Sequence, residues 1–327
     1  MKFGETFMEY LHGDQGGFLE KCSHVEYKRL KKVLKSCRTC RAFKDDNDNP
    51  AASQLCQYEA CPVCDQIFFS ELMKDAAEIS GCFSLRVRHL LHLHIASRLH
   101  KYLLHVRLCF TNNQQSLVQE GKMLFEYITM NAIAMRKILK KYDKVHSSEN
   151  GRKFKSKMHA KHMEILQSPW LIELGAFCIN FNEQHGGQSD ELFRPFSYHF
   201  DSTEAVMTFL LPDSMTLEYN LNCAICLELV FNPYALSCGH LFCKSCACSA
   251  ASVFIFQGLK TANSQSKCPV CREAGVYGNA VHMLELDRLL KKRCKEYWKE
   301  RMAEERAQMV KQSKEFWDQQ TKYMIGY

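Results

Sequence analysis

Between Cys223 and Cys271 the chain sets cysteine and histidine at fixed intervals: Cys223-x2-Cys226, Cys238-x-His240, Cys243-x2-Cys246 and Cys268-x2-Cys271. Two residues between paired ligands let one short turn aim both sulfurs at one tetrahedral ion. Seven cysteines and one histidine, in four pairs, are enough for two four-coordinate zinc sites. A segment of about fifty residues buries little core of its own, so metal binding becomes folding energy. Gly239 suits the turn between Cys238 and His240, where a side chain would obstruct ligand approach. Ala247, Ala250, Ala251 and Phe254 fall at helical spacing, so a short helix is expected over Lys244 to Phe256.

The order of ligands, with a single histidine in fourth place, resembles the RING finger. The PHD finger, a close competitor, carries its histidine fifth. The resemblance implies a cross-brace. Cys223, Cys226, Cys243 and Cys246 would hold one zinc, and Cys238, His240, Cys268 and Cys271 the other. It also implies ubiquitin ligase activity. Ile225 and Pro269 occupy the positions of the apolar shelf that docks a ubiquitin-conjugating enzyme, and Arg272 that of the "linchpin" cation. The arginine fork can bridge two carbonyl partners at once. No cysteine need carry ubiquitin, and Cys248, outside the ligand set, is expected to be a packed thiol.

At 327 residues the chain is long enough for two domains. Cysteine pairs at metal spacing point to zinc and a reducing compartment rather than to disulfides. The start, Met1-Lys2-Phe3-Gly4-Glu5, has no basic region followed by an apolar run, so no secretory signal is expected. Charges such as Arg86, Arg88, Arg98 and Lys101 interrupt the most apolar windows, and no membrane span is expected. The formal charge of +7 falls to about +4 once seven thiolates and two zinc ions are counted.

That modest excess is concentrated in two places. A helix expected over Val25 to Ser36 turns Leu30, Val33 and Leu34 inward and carries Lys28, Arg29, Lys31, Lys32 and Lys35 outward. A second basic helix, Leu124 to Lys144, places Lys137, Lys140, Lys141 and Lys144 in one stripe. Like charges so spaced repel by roughly a few tenths of a kcal/mol per pair, which a compact polyanion between the stripes would offset. Long helical patterns cover Glu71 to Phe110 and Ser116 to Lys144, and a basic helix continues over 151–167.

The opening Met1-Lys2-Phe3-Gly4, the run Tyr27-x3-Lys31-Lys32-x2-Lys35 and the run from Lys137 to Lys144 resemble the SPX domain. SPX domains are helical bundles with two long helices that sense inositol polyphosphates and pyrophosphates. The resemblance implies a phosphate-binding cluster of Tyr27, Lys31 and Lys141. Lys137, Lys140 and Lys144 would flank it, with Lys2 and Lys28 as lesser candidates. Cys37-x2-Cys40 and Cys61-x2-Cys64 depart from the plain SPX pattern and are candidates for a third zinc.

The expected fold is therefore mainly α. It comprises an SPX bundle over 1–167, a linker or docking segment over 168–220, a RING zinc finger over 221–275 and a C-terminal helix over 281–322. Ala205 to Leu211 reads as a strand. In the last helix Met302, Met309, Phe316 and Tyr323 recur every seven residues, a stripe suited to a homodimer or to packing on its own chain. SPX followed by RING resembles the plant NLA/BAH1-type ubiquitin ligases, linked to nitrogen limitation and benzoic acid responses. That resemblance implies membrane phosphate or nitrate transporters as substrates, with the enzyme in cytoplasm or nucleus and recruited to the plasma membrane by them. The alternative is a non-catalytic phosphate-status sensor or adaptor using the RING for assembly. Few aromatic residues interleave with the lysines, which argues against nucleic-acid binding.

Overall fold

A computed structural model describes residues 3–12, 22–34, 62–91, 114–146, 149–160, 165–184, 196–200, 205–211 and 215–326. They fall into two compact units: the residues up to Leu90 with those from 114 to Ser168, and those from Pro169 onward. The architecture is mainly α, and no helix among the described residues is long and apolar enough to cross a membrane.

The first unit contains α1 (Phe3–His12), α2 over 27–34, α3 (Pro62–Leu90), α4 (Gln114–His146) and α5 (Asn150–Ala160). Apolar residues three and four apart give α3 and α4 facing stripes. Phe68, Leu72, Ile79, Phe83 and Val87 are buried on α3, and Leu124, Tyr127, Ile128, Ile138 and Tyr142 on α4. Each such side chain contributes roughly 1.5–3 kcal/mol of burial. Asn131 is a buried polar exception on α4. It accepts from the Val25 N–H at 2.9 Å and donates to the Tyr127 carbonyl at 2.8 Å, pinning the entry to α2. Asp143 turns α5 back on α4 by accepting from the Gly151 and Arg152 N–H groups at 2.7 and 3.1 Å. These are donors that a helix start leaves unpaired. Gly151 is required by proximity, because a Cβ there would lie 2.8 Å from the Asp143 carboxylate and the Leu139 carbonyl.

Several boundaries differ from the sequence reading. Helix α3 begins at Pro62 rather than Glu71, since proline at a first helical position lacks only a donor that would go unused. Within the stretch expected as a basic helix over 151–167, the described residues form α5 up to Ala160 and a 3-10 turn, Ile165–Gln167. Cys22 and Cys82 form a disulfide, Cα atoms 5.9 Å apart, where cysteine spacing pointed away from disulfides. Neither belongs to a metal-spaced pair. The 22–34 segment lies on α3, with the Glu26 N–H on Asp75 at 2.9 Å and Arg29 on Glu71 at 2.8 Å, and this brings the thiols within bonding reach.

The second unit opens with α6 (Pro169–Gln184) and an antiparallel meander of β1 (Phe196–Phe200), β2 (Ala205–Leu211) and β3 (Met215–Asn220). The stretch expected as a linker or docking segment thus carries a helix and a sheet. Strand β2 is central, and Ala205, Met207 and Phe209 alternate inward. There follow β4 (Pro233–Ala235), β5 (Leu241–Cys243), α7 (Lys244–Ala250), β6 (Val281–His282), α8 (Leu284–Arg293) and α9 (Lys295–Ile325), with sheet order β5-β4-β6.

The single helix expected over 281–322 is divided, because Cys294 is non-helical at φ −116° and ψ 55°. The two parts have different partners. Helix α8, with Leu286, Leu289 and Leu290 buried, packs on α6. Helix α9 runs along the cysteine-rich region. The Tyr297 hydroxyl donates to the Leu229 carbonyl at 2.5 Å, Asn232 donates to Glu305 at 2.8 Å, and the Ile255 N–H donates to Gln312 at 2.9 Å. Phe316, in the stripe suited to a homodimer or to packing on its own chain, meets Phe254 and Phe256 of its own chain, each at 5.6 Å. Tyr323 is exposed.

Helix α8 has no side-chain cap at Met283, and Glu173 of α6 supplies one. Its two carboxyl oxygens accept from the Glu285 and Leu286 N–H groups at 2.8 and 3.1 Å. Glu173 is fully buried, and burial, with the Glu285 carboxylate nearby, pushes its pKa up to about 8. The folded chain therefore keeps this proton over a range where the unfolded chain has lost it. The group's contribution is fullest below the ordinary glutamate pKa and declines as pH rises to about 8. The slope is at most about 1.4 kcal/mol per pH unit. Glu173→Gln is expected to flatten the dependence of the urea midpoint between neutral pH and about 8. An identical slope in both proteins would refute the assignment.

Candidate metal centres and docking face

The first and last cysteine pairs are built on the same turn. In the first, the Leu227 N–H donates to the Cys223 carbonyl and the Cys223 N–H to the Glu228 carbonyl, both at 2.8 Å. In the last, the Arg272 N–H donates to the Cys268 carbonyl and the Cys268 N–H to the Glu273 carbonyl, both at 2.9 Å. Leu227 and Arg272 hold equivalent positions, and each has φ 62°. A left-handed non-glycine residue costs about 1–2 kcal/mol, which the closed turn and metal ligation offset.

The remaining ligands come from other elements. Cys243 ends β5 and Cys246 lies in α7. The Phe231 N–H donates to the Cys243 sulfur at 3.2 Å. Gly239, between Cys238 and His240, has φ 89°, so glycine is needed there for its backbone conformation. Helix α7 starts directly after Cys243, as expected, but stops at Ala250 rather than Phe256.

The eight ligands gather into two groups, Cys223 with Cys226, Cys243 and Cys246, and Cys238 with His240, Cys268 and Cys271. Within each group all ligand atoms lie within 4.8 Å of one another. The Cys226 and Cys243 sulfurs are 3.8 Å apart, and the Cys238 sulfur lies 3.3 Å from His240 Nδ1. A tetrahedron of thiolates about 2.3 Å from zinc has edges of about 3.8 Å, so the donor set and its spread fit zinc. The interleaving is the expected cross-brace: first pair with third, second with fourth. Such an ion contributes folding energy and leaves no open position for chemistry.

Exposed residues adjoin the ligands of both centres. Ile225 is 39% exposed, and Pro269 and Arg272 are also exposed. Leu227, 76% exposed, and Val270, 44% exposed, add apolar area beside the two centres and were not singled out from sequence. Their signal was available, since each adjoins a ligand in a turn whose ends are fixed by metal. Cys248 is fully buried, and burial pushes its thiol up to about 11, so it is a packed thiol and not a nucleophile.

Of the basic residues singled out in the first unit, Tyr27 and Lys137 meet on one ring. The Tyr27 ring is 5.7 Å from that of Phe3, and Lys137 Nζ is 4.6 Å from the Phe3 centroid. Burial holds the Tyr27 hydroxyl above its ordinary pKa, so it remains a proton donor at neutral pH. Lys31 and Lys141 are half-buried, whereas Lys28, Lys140 and Lys144 are exposed. Lys2, Cys37, Cys40, Cys61 and the side chain of Cys64 lie outside the described residues.

Residues 223–269 match the RING-type zinc-finger family. No solved structure matches the chain. Over the full length of both chains, the protein is 62% identical to the Arabidopsis thaliana "Probable E3 ubiquitin-protein ligase BAH1-like". It is 55% identical, again over both full lengths, to "Probable E3 ubiquitin-protein ligase BAH1-like 1" of Oryza sativa subsp. japonica. It is 43% identical over both full lengths to "E3 ubiquitin-protein ligase NLA" of Arabidopsis thaliana. With its two cross-braced ligand groups in place, the chain belongs to the BAH1-like and NLA family of RING-type E3 ubiquitin-protein ligases.

Proposed function

We propose that this ligase docks a ubiquitin-charged conjugating enzyme on Ile225 and Pro269 and activates its thioester through Arg272. The observation that carries this reading is that Ile225 and Pro269 are exposed, each beside a ligand of one of the two gathered groups. An exposed aliphatic patch beside a fixed scaffold gives a partner a place to bury surface. Arg272 is set in the left-handed region by its turn and stays exposed. Its fork donates to carbonyls of the conjugating enzyme and of ubiquitin, holding the thioester in a near-attack geometry. The substrate lysine amine then attacks the thioester carbonyl carbon. The C–S bond breaks, the thiolate leaves on the conjugating enzyme, and the amine gives up its proton.

The first unit, in the same proposal, is an SPX domain that reads inositol polyphosphates or pyrophosphates through Tyr27, Lys31 and Lys141. Lys137, Lys140 and Lys144 flank these, and Lys28 lies at the margin. The shared seat of Tyr27 and Lys137 on Phe3 supports it, because α1, α2 and α4 then contribute to one basic face. Substrates are membrane phosphate or nitrate transporters, and the enzyme works from cytoplasm or nucleus at the plasma membrane.

Calorimetric titration of the full chain with inositol hexakisphosphate tests the sensing part. Saturable binding is expected, weakened about tenfold or more when Lys31→Ala and Lys141→Ala remove two charge-assisted contacts. No binding, or binding indifferent to both substitutions, would end that part of the proposal and leave the ligase face untouched.

A further inference from the structure

A cleft of about 290 Å³ opens beside the first ligand group. Ile225 lines it from the turn that carries Cys226, and Ser245 and Ser249 line it from α7. Its other wall is α9, through Arg301, Glu304 and Gln308. Three contacts fix that wall in place. Arg301 reaches Glu228, at the end of the first cysteine turn, at 3.4 Å. Asn232 donates to Glu305 at 2.8 Å, and the Ile255 N–H donates to Gln312 at 2.9 Å. Positions 301, 305, 308 and 312 recur three and four residues apart, so one face of α9 looks onto the zinc-finger region. On that face Gln308 lies between two bonded positions, yet its side chain is exposed and hydrogen-bonds to none of the described residues. The same is true of the Ser249 side chain. Arg301 is shared between Glu228 and Glu304, the latter at 2.8 Å, so one guanidinium answers two exposed carboxylates and negative charge is left over. The contacts that hold α9 use neither Ile225 nor Gln308.

We propose that α9 is part of the surface that docks the ubiquitin-conjugating enzyme, with Gln308 and Glu304 as residues that select among such enzymes. The inference rests on the reading of Ile225 as a docking anchor. A partner that buries Ile225 enters the cleft and meets its far wall. The Gln308 amide and the Ser249 hydroxyl offer it hydrogen bonds, and the surplus carboxylate charge favours a lysine or arginine on the partner.

The test uses the full-length, zinc-loaded chain and, from a purified panel, the conjugating enzyme whose ubiquitin it discharges fastest. Gln308→Lys puts a cation into the cleft at an exposed position, so thermal melting should not change. It should raise the conjugating-enzyme concentration for half-maximal discharge about tenfold or more and leave the saturated rate unchanged. Glu304→Gln should raise that concentration less and flatten its dependence on salt. Val310→Lys makes the same charge change on an exposed part of α9 outside the cleft and should have no effect. With photoreactive p-benzoylphenylalanine in place of Gln308, irradiation should join the chain to the conjugating enzyme, and Ile225→Ala should reduce that adduct. Adducts only with ubiquitin or with a second copy of the chain overturn the proposal. So does an equal effect of Val310→Lys, or wild-type docking by Gln308→Lys while Ile225→Ala docks poorly. Wild-type docking by Ile225→Ala as well brings down the anchor reading beneath it.

Discussion

Cys243→Ala is expected to release the zinc of the first ligand group and to reduce ubiquitin transfer to background. Cys243 is fully buried, ends the strand β5 that pairs with β4, and accepts a hydrogen bond from the Phe231 N–H. Its removal leaves three thiolates crowded without the ligand that ties them to the sheet. A structural zinc contributes about 10–16 kcal/mol of apparent binding free energy, whereas a whole domain is stable by only about 5–15 kcal/mol. Losing the ion therefore exceeds what the small RING core can absorb. Native mass spectrometry should show at least one fewer zinc per chain, and amide protection over 233–243 should disappear. Cys248→Ala is the control, since that thiol ligates nothing and should leave both metals and transfer in place. A Cys243→Ala protein with full metal content and intact protection would refute the structural role of this site.

Ile225→Ala and Arg272→Ala should each cut ubiquitin discharge while leaving the fold intact. Truncating an apolar anchor at a protein interface typically costs more than about 1 kcal/mol, so a loss of roughly tenfold is expected for Ile225→Ala. That loss should appear as a need for more conjugating enzyme, because docking is what Ile225 supplies. Arg272→Ala should instead lower the rate at saturating conjugating enzyme, because the fork acts on the thioester's geometry. Arg272→Lys should rescue poorly, since a point charge cannot bridge two carbonyls. Alanine is no more strained than arginine at φ 62°, so thermal melting should be unchanged. Wild-type discharge by both variants, with the zinc content verified, would remove the proposed docking face.

The metal centres were legible in the sequence because their information is local. Two cysteines separated by two residues dictate one turn, and the resemblance of the ligand order to the RING finger implied the cross-brace. Gly239, the start of α7 and strand β2 were legible for the same reason: a turn, a helical period and an apolar run each lie within a few residues. The limits of elements were less legible. Helix α3 began nine residues before its expected start, with Pro62 as its first helical residue.

Tertiary structure alone decided how these parts combine. The cap on α8 comes from Glu173, 112 residues before the Glu285 N–H that it accepts. The sevenfold stripe on α9 suited either a partner helix or the chain's own residues, and Phe316 meets Phe254 and Phe256. The disulfide of Cys22 with Cys82 spans 60 residues and follows from how the 22–34 segment lies on α3. The division of the expected 281–322 helix at Cys294 likewise appears only in the structure. Ligand chemistry is written in spacing along the chain. Which faces meet depends on burial among residues far apart in sequence, and that competition is settled only once the whole chain packs.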